Sequence, residues 1–86
     1  MDIGVEISLY PLKADFIPAV HQFLGRLQAH QSLKVVTNSM STQVFGGFDE
    51  VMDALRAALA ASFASMAAGG ERAVFVMKLI GPLADG

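Results

Sequence analysis

The order in which the hydrophobic period changes along this chain leaves few folds open to it. From Ile3 to Tyr10 the side chains alternate, with Val5, Ile7 and Leu9 on one side and Gly4, Glu6, Ser8 and Tyr10 on the other. A period of two predicts a half-buried strand, here closed by Pro11. Phe16, Ile17, Val20, Phe23, Leu24 and Leu27 then follow helical spacing. Asp15 is a candidate N-cap for this helix, and Pro18 falls early enough to be tolerated in its first turn. Leu33–Thr37 is a short β-rich run, Asn38–Met40 supplies turn chemistry, and Ser41–Phe45 predicts the return strand of a hairpin.

Gly46-Gly47 opens a second predicted helix, whose early acids Asp49, Glu50 and Asp53 complement the positive end of the helix dipole. Its apolar stripe reads as Phe48, Val51, Met52, Leu55, Leu59, Phe63 and Met66, and Gly69-Gly70 ends it. Arg72–Ile80 is apolar almost throughout and predicts a strand with few solvent-facing positions, followed by a tail over Gly81–Gly86. The order is β-α-β-β-α-β, the ferredoxin-like α+β pattern, expected here as one domain over residues 1–86. Right-handed crossovers then require one antiparallel four-stranded sheet in the order 4-1-3-2, with two helices on one face. That topology brings Tyr10-Pro11, Thr37–Thr42 and the chain near Arg72 to one end of the sheet, where a site is expected.

Composition narrows the function. An apolar fraction of 53% against 16% charged residues exceeds what one small core needs, so a second copy of the chain is expected to cover part of the surface. A formal net charge of −2 argues against a nucleic-acid partner. With no cysteine there is neither a disulfide framework nor thiolate chemistry. The amino terminus has an acid at Asp2 and no basic segment before an apolar run, unlike a secretory signal, and the apolar run Ala57–Ala68 is short of the roughly 20 residues that cross a bilayer. A cytoplasmic protein without a membrane partner is the expectation.

Catalytic constellations do not emerge. There is neither a GxGxxG nor a P-loop pattern. His21 and His30, nine residues apart on the first predicted helix, point to opposite sides and cannot share a metal. Ser41-Thr42 beside Asn38 has no histidine or lysine placed to activate a nucleophile, and helix-terminal electrostatics account for Asp49, Glu50 and Asp53. The segment Tyr10-Pro11-Leu12-Lys13 lacks the glycines and arginine of the acylphosphatase loop on the same fold. Tyr10 and Phe45 only weakly mimic the base-stacking pair of RNA-binding modules. Neither an enzyme nor a metal protein is expected.

Two segments are more specific. Glu6-Ile7-Ser8-Leu9-Tyr10-Pro11-Leu12 and Met40-Ser41-Thr42-Gln43-Val44-Phe45-Gly46, the latter followed by Phe48-Asp49-Glu50-Val51-Met52-Asp53, resemble the YkoF-like family, related to the MTH1187-type thiamine-binding proteins. The resemblance runs from about Val5 to Gly81. It implies a non-catalytic binder of thiamine or its hydroxymethylpyrimidine moiety, with no cofactor, in which ferredoxin-like units pair through their sheets. A single copy of the unit implies a homodimer or homotetramer. Carried over by position, Ser8, Tyr10, Ser41 and Thr42 match the motifs, and Thr37 and Asn38 match the polar segment before them. Tyr10 and Met40 are candidates to stack on a pyrimidine ring, and Glu6 to balance a thiazolium charge. Phosphorylated ligands are disfavoured, because Arg72 and Lys78 are the only cations expected on the sheet. An acid tends to stand at the position of Phe45 in the MTH1187-type branch, and the final strand here is more apolar than in YkoF-like members. Those departures keep open a structural or regulatory oligomerisation module without a ligand. An RNA-binding module is a more distant alternative, which strongly salt-dependent affinity would identify.

Overall fold

The computed structural model describes residues 1–12, 17–38 and 41–83. The expected roles of Lys13, Asp15, Phe16 and Met40, and of the last residues, 84–86, lie outside that range, as do the side chains of Pro11 and Ile17. The element order is β1 (Asp2–Pro11), α1 (Ile17–Gln28), β2 (Lys34–Thr37), β3 (Thr42–Gly47), α2 (Phe48–Ala68) and β4 (Ala73–Leu83). The four strands form one antiparallel sheet in the order β2-β3-β1-β4, which is the expected 4-1-3-2 read from the other edge. Both helices cover one face.

Register follows the alternation in β1. Val5 pairs with Val44, which pairs with Val35, and Ile7 pairs with Thr42, which pairs with Thr37. Directly opposed residues share a face. These rows therefore turn toward the helices, where Ile3, Val5, Ile7 and Val44 are buried with Phe23 and Leu27 of α1 and Val51, Ala54, Leu55 and Ala58 of α2. The opposite face carries the rows Lys34–Phe45–Gly4–Ile80 and Val36–Gln43–Glu6–Lys78. Gly4 is needed there: a Cβ on it would lie 2.9 Å from Cε1 of Phe45, whose ring crosses the glycine.

Several expectations shift. In α2 the residues turned inward are Val51, Ala54, Leu55, Ala58, Ser62 and Met66, whereas Phe48, Met52 and Phe63 are exposed. Small side chains let α2 lie close to the sheet and α1, so the largest residues mark the helix flank rather than its inner face. At 21 residues α2 has the length and composition of a membrane-crossing helix, which the run Ala57–Ala68 did not suggest. Here six of its residues instead pack inward. The helix stops at Gly69 and Gly70, and Gly70 takes a φ of 68°. His30 lies beyond the end of α1 rather than on it, and both it and His21 are exposed.

β4 departs most. It runs on through Gly81, Pro82 and Leu83, with an irregular register between Asp2 and Gly4, so the start of the expected tail is strand. It is also an edge strand, and most of its side chains are exposed rather than covered. An apolar run predicts burial on two faces only when layers cover both faces of the sheet, and here both helices lie on one.

One polar contact ties the helices: Nη1 of Arg26 donates to Oγ of the buried Ser62 at 3.1 Å. Ser62→Ala should cost about 1 kcal/mol, measured by urea unfolding, because the half-exposed guanidinium can rehydrate. A loss above about 3 kcal/mol would mean that Ser62 does more than accept this bond.

Candidate functional site

β1 outruns its neighbour. Its pairing with β3 ends at Ile7↔Thr42, while its pairing with β4 continues through Tyr10↔Val74 and Pro11↔Ala73. Beyond Ile7 no β3 residue stands in register with β1, and a notch opens between β1, α1 and the facing ends of β2 and β3. Leu12 closes the far end of β1, its N–H donating to the carbonyl of Arg72 at 2.9 Å. The expected meeting of the first strand, the hairpin and the start of β4 is present.

The notch is a cavity of about 280 Å³, lined by Ile7, Leu9, Val20, Phe23 and Leu24 as an apolar floor. Ser8, Tyr10, Thr37, Asn38, Ser41 and Thr42 complete the lining. Its volume is near the lower end of the range of about 300–1,000 Å³ typical of small-molecule sites. None of these eleven residues is charged. Six of the eight expected site residues come together here. Met40 lies outside the described residues. Glu6 is not in the lining: it lies on the open face in line with Gln43 and Lys78, within the stretch of β1 that β3 still pairs, whereas Ser8 and Tyr10, of the same parity, lie beyond that pairing.

Hydrogen bonds organise the rim. Oδ1 of Asn38 accepts the Ser41 N–H at 2.9 Å, and the Asn38 N–H donates to the Ser41 carbonyl at 3.0 Å, which fixes the mouth of the hairpin. The hydroxyls of Thr37 and Thr42 are 3.3 Å apart. One proton lies between them, so the pair offers one further donor along with lone pairs. Oγ of Ser41 donates to Oε2 of Glu6 at 3.2 Å. That bond commits the Ser41 proton to the carboxylate and leaves its oxygen lone pairs for an incoming N–H. Glu6 thus reaches the cavity through Ser41.

The apolar floor was not among the expected site residues. Val20, Phe23 and Leu24 carry the same helical spacing as core residues, and only the overhang of β1 beyond its register with β3 turns that stripe into a cavity wall. The sheet also carries a cation not foreseen, Lys34 on β2, while Arg72 precedes β4 rather than lying in it. Neither they nor Lys78 line the cavity. A second hollow of about 240 Å³ lies on the open face, between Glu6, Gln43, Phe45, Lys78 and Ile80. Among the described residues no cluster of histidine, cysteine, aspartate and glutamate is disposed to hold a metal.

Comparison with known proteins agrees with this geometry. The family model described as YKOF-related Family matches residues 2–79. The chain belongs to the YKOF-related family. Membership makes it a small-molecule-binding domain and not an enzyme. Solved structures share the fold at low identity. A hypothetical protein from Methanocaldococcus jannascii is 24% identical with a TM-score of 0.79, the match covering 99% of this chain and 84% of that one. A protein from Streptococcus pneumoniae is also 24% identical, at a TM-score of 0.82 over 96% of this chain and 89% of its own. A Thermotoga maritima protein described as a "putative thiamine biosynthesis/salvage protein" is 20% identical, with a TM-score of 0.67 and coverage of 95% and 85%. No curated protein matches the chain.

Proposed function

We propose that this YKOF-related domain binds thiamine or its hydroxymethylpyrimidine moiety, without chemistry, in the cavity at the end of β1. The observation that carries the reading is the uncharged lining, an apolar floor under a rim of hydroxyls and one amide. A flat aminopyrimidine has a hydrophobic face and an edge of donors and acceptors that suit such a rim. Ser41 is assigned to the exocyclic amino group, because Glu6 leaves its lone pairs outward. Thr37 and Thr42 serve the ring nitrogens, Ser8 and Asn38 complete the polar edge, and Tyr10 stacks. Met40 remains a stacking candidate by sequence position. A permanent thiazolium charge belongs outside the uncharged cavity, toward Glu6 on the open face. Phosphates are disfavoured in the cavity, since no cation among the described residues lines it. The link of the Thermotoga maritima protein to thiamine biosynthesis or salvage supports the same ligand class.

The reading includes self-association through the open sheet face, into a homodimer or homotetramer in the cytoplasm. Val36, Val74, Val76, Ile80 and Tyr10 lie exposed there around the polar row of Gln43, Glu6 and Lys78.

Thermal unfolding with thiamine, and separately with hydroxymethylpyrimidine, tests the ligand. At 100 times the dissociation constant a ligand specific for the folded state adds about 2.7 kcal/mol, a rise of about 10–20 °C for a domain of this size. A flat midpoint with both compounds at millimolar concentration would sink the reading and favour the oligomerisation module.

A further inference from the structure

Between α1 and α2, on the side of α1 turned away from the end of β1, lies a smaller cavity of about 90 Å³. It shares only Leu9 with the larger one. Charges of both signs line it, Arg26 and Glu71, together with the neutral polar side chains of Gln22, Ser62 and Ser65. Arg26 belongs to the last turn of α1, whose negative end it complements. Its guanidinium is half-buried and turns toward α2, where Nη1 donates to Oγ of Ser62 at 3.1 Å. A hydroxyl is a neutral partner for one of five N–H donors, and among the described residues no carboxylate pairs with the group.

Glu71 is placed by the end of α2. Its N–H donates to the Met66 carbonyl at 2.8 Å, and a Cβ on Gly69 would lie 3.0 Å from its Oε1, so the carboxylate folds back over the helix terminus. That terminus is the negative end of the helix dipole, and no basic residue stands in the last turn of α2. Glu71 makes a further contact of its own, yet a carboxylate has about four acceptor sites to offer. Ser62 and Gly69 are about two turns apart, about 10 Å along the axis of α2, so Arg26 and Glu71 face one cavity from its two ends without pairing.

A simple anion at Arg26 meets the repulsion of Glu71 and the end of α2, and a simple cation at Glu71 leaves the guanidinium without a counter-charge. A molecule that carries both charges relieves both ends. We propose that this cavity binds a small zwitterionic amino acid, its carboxylate on the guanidinium of Arg26 and its ammonium on the carboxylate of Glu71. The span suits two charge-assisted hydrogen bonds of about 2.8 Å with a few atoms between them. The cavity has room for about six to nine atoms beyond hydrogen, the size of glycine or alanine. Gln22 and Ser65 supply neutral donors and acceptors along its wall.

This site does not depend on the pyrimidine reading, and the two fail separately. Titration of the isotope-labelled chain with glycine and with alanine, followed by amide NMR, tests it. Saturable shifts are expected for residues 19–26 and 62–71. Acetate and methylammonium should bind at least tenfold more weakly, since each satisfies one end only. Arg26→Met, which keeps the apolar stem, and Glu71→Gln should each weaken glycine binding at least tenfold. A dispersed amide spectrum shows that a variant is folded; should Arg26→Met fail to fold, Glu71→Gln and the acetate comparison decide. No saturable shift with either amino acid at tens of millimolar overturns the inference. So does acetate binding as tightly as glycine, or a folded Glu71→Gln with undiminished affinity. Glycine shifts at Tyr10, Thr37 and Ser41 in place of the α1–α2 groove would overturn it as well, by assigning the amino acid to the other cavity.

Discussion

Phe23→Ala should remove about 3–5 kcal/mol of stability and lower the unfolding midpoint by at least about 12 °C. Phe23 is 2% exposed and anchors α1 over the sheet. Its ring centroid lies 5.0 Å from that of Phe75 on β4, tilted by 53°, and Phe75 in turn meets Phe63 of α2 edge-on at 5.3 Å. The three rings therefore tie both helices to β4. Tilted and edge-to-face pairs add about 0.5–1.5 kcal/mol to the burial itself. Phe23 also forms part of the cavity floor, so truncation merges a new void with a space already open beside it, and the site cannot collapse to recover contacts. For a domain of this length, whose stability is of order 5–10 kcal/mol, such a loss is a large share. Phe63→Ala is the control: its ring is exposed on one side, and its loss should cost about half as much. Thermal and urea unfolding of both variants measure the difference. Equal losses, or a Phe23→Ala midpoint within about 4 °C of the wild type, would show that the ring stack does not hold α1 in place.

The double variant Tyr10→Ala/Ser41→Ala should weaken ligand binding by about 60-fold while the unliganded fold stays intact. Tyr10 is 55% exposed in the unliganded chain, so its ring has little packing to lose. Stacking and apolar contact with a bound ring are worth about 1.5 kcal/mol, and the hydrogen bond at Ser41 about 1 kcal/mol, together about 2.5 kcal/mol. Isothermal titration against hydroxymethylpyrimidine reads this directly, with unfolding of the free variant as the stability control. Glu6 predicts how the single variants divide. Its carboxylate holds the Ser41 proton, so Glu6→Gln should reduce affinity for the neutral pyrimidine less than Ser41→Ala does. It should reduce affinity for thiamine more, because the permanent charge loses its counter-ion. A double variant that binds within about threefold of the wild type would move the ligand away from this end of the sheet.

The open end of β1 explains how much of this site was legible beforehand. Ser8, Tyr10, Thr37, Asn38, Ser41 and Thr42 could be gathered from topology and short motifs, since the strand order alone places the ends of β1 and β2 and the start of β3 together. Glu6 could be placed on a face and proposed as a counter-charge, but its link to the cavity could not be foreseen. Its reach into the cavity depends on one hydroxyl, Ser41, standing between two surfaces, and no spacing rule encodes that contact. Val20, Phe23 and Leu24 stayed hidden because a residue lining a cavity and a residue filling a core obey the same period.

Local periodicity by itself determined the kind and order of the elements, and through crossover handedness the strand order and the side on which the helices lie. These depend on interactions near in sequence and on chain chirality, which one chain carries in its pattern. Tertiary structure decided the rest. It turned Ala54, Ala58 and Ser62 of α2 inward in place of Met52 and Phe63, because the approach distance of a helix depends on what it packs against. It also left β4 at an edge with its apolar side chains exposed. Burial is a property of neighbours, and a strand's own residues are the same whether one layer or two cover its sheet.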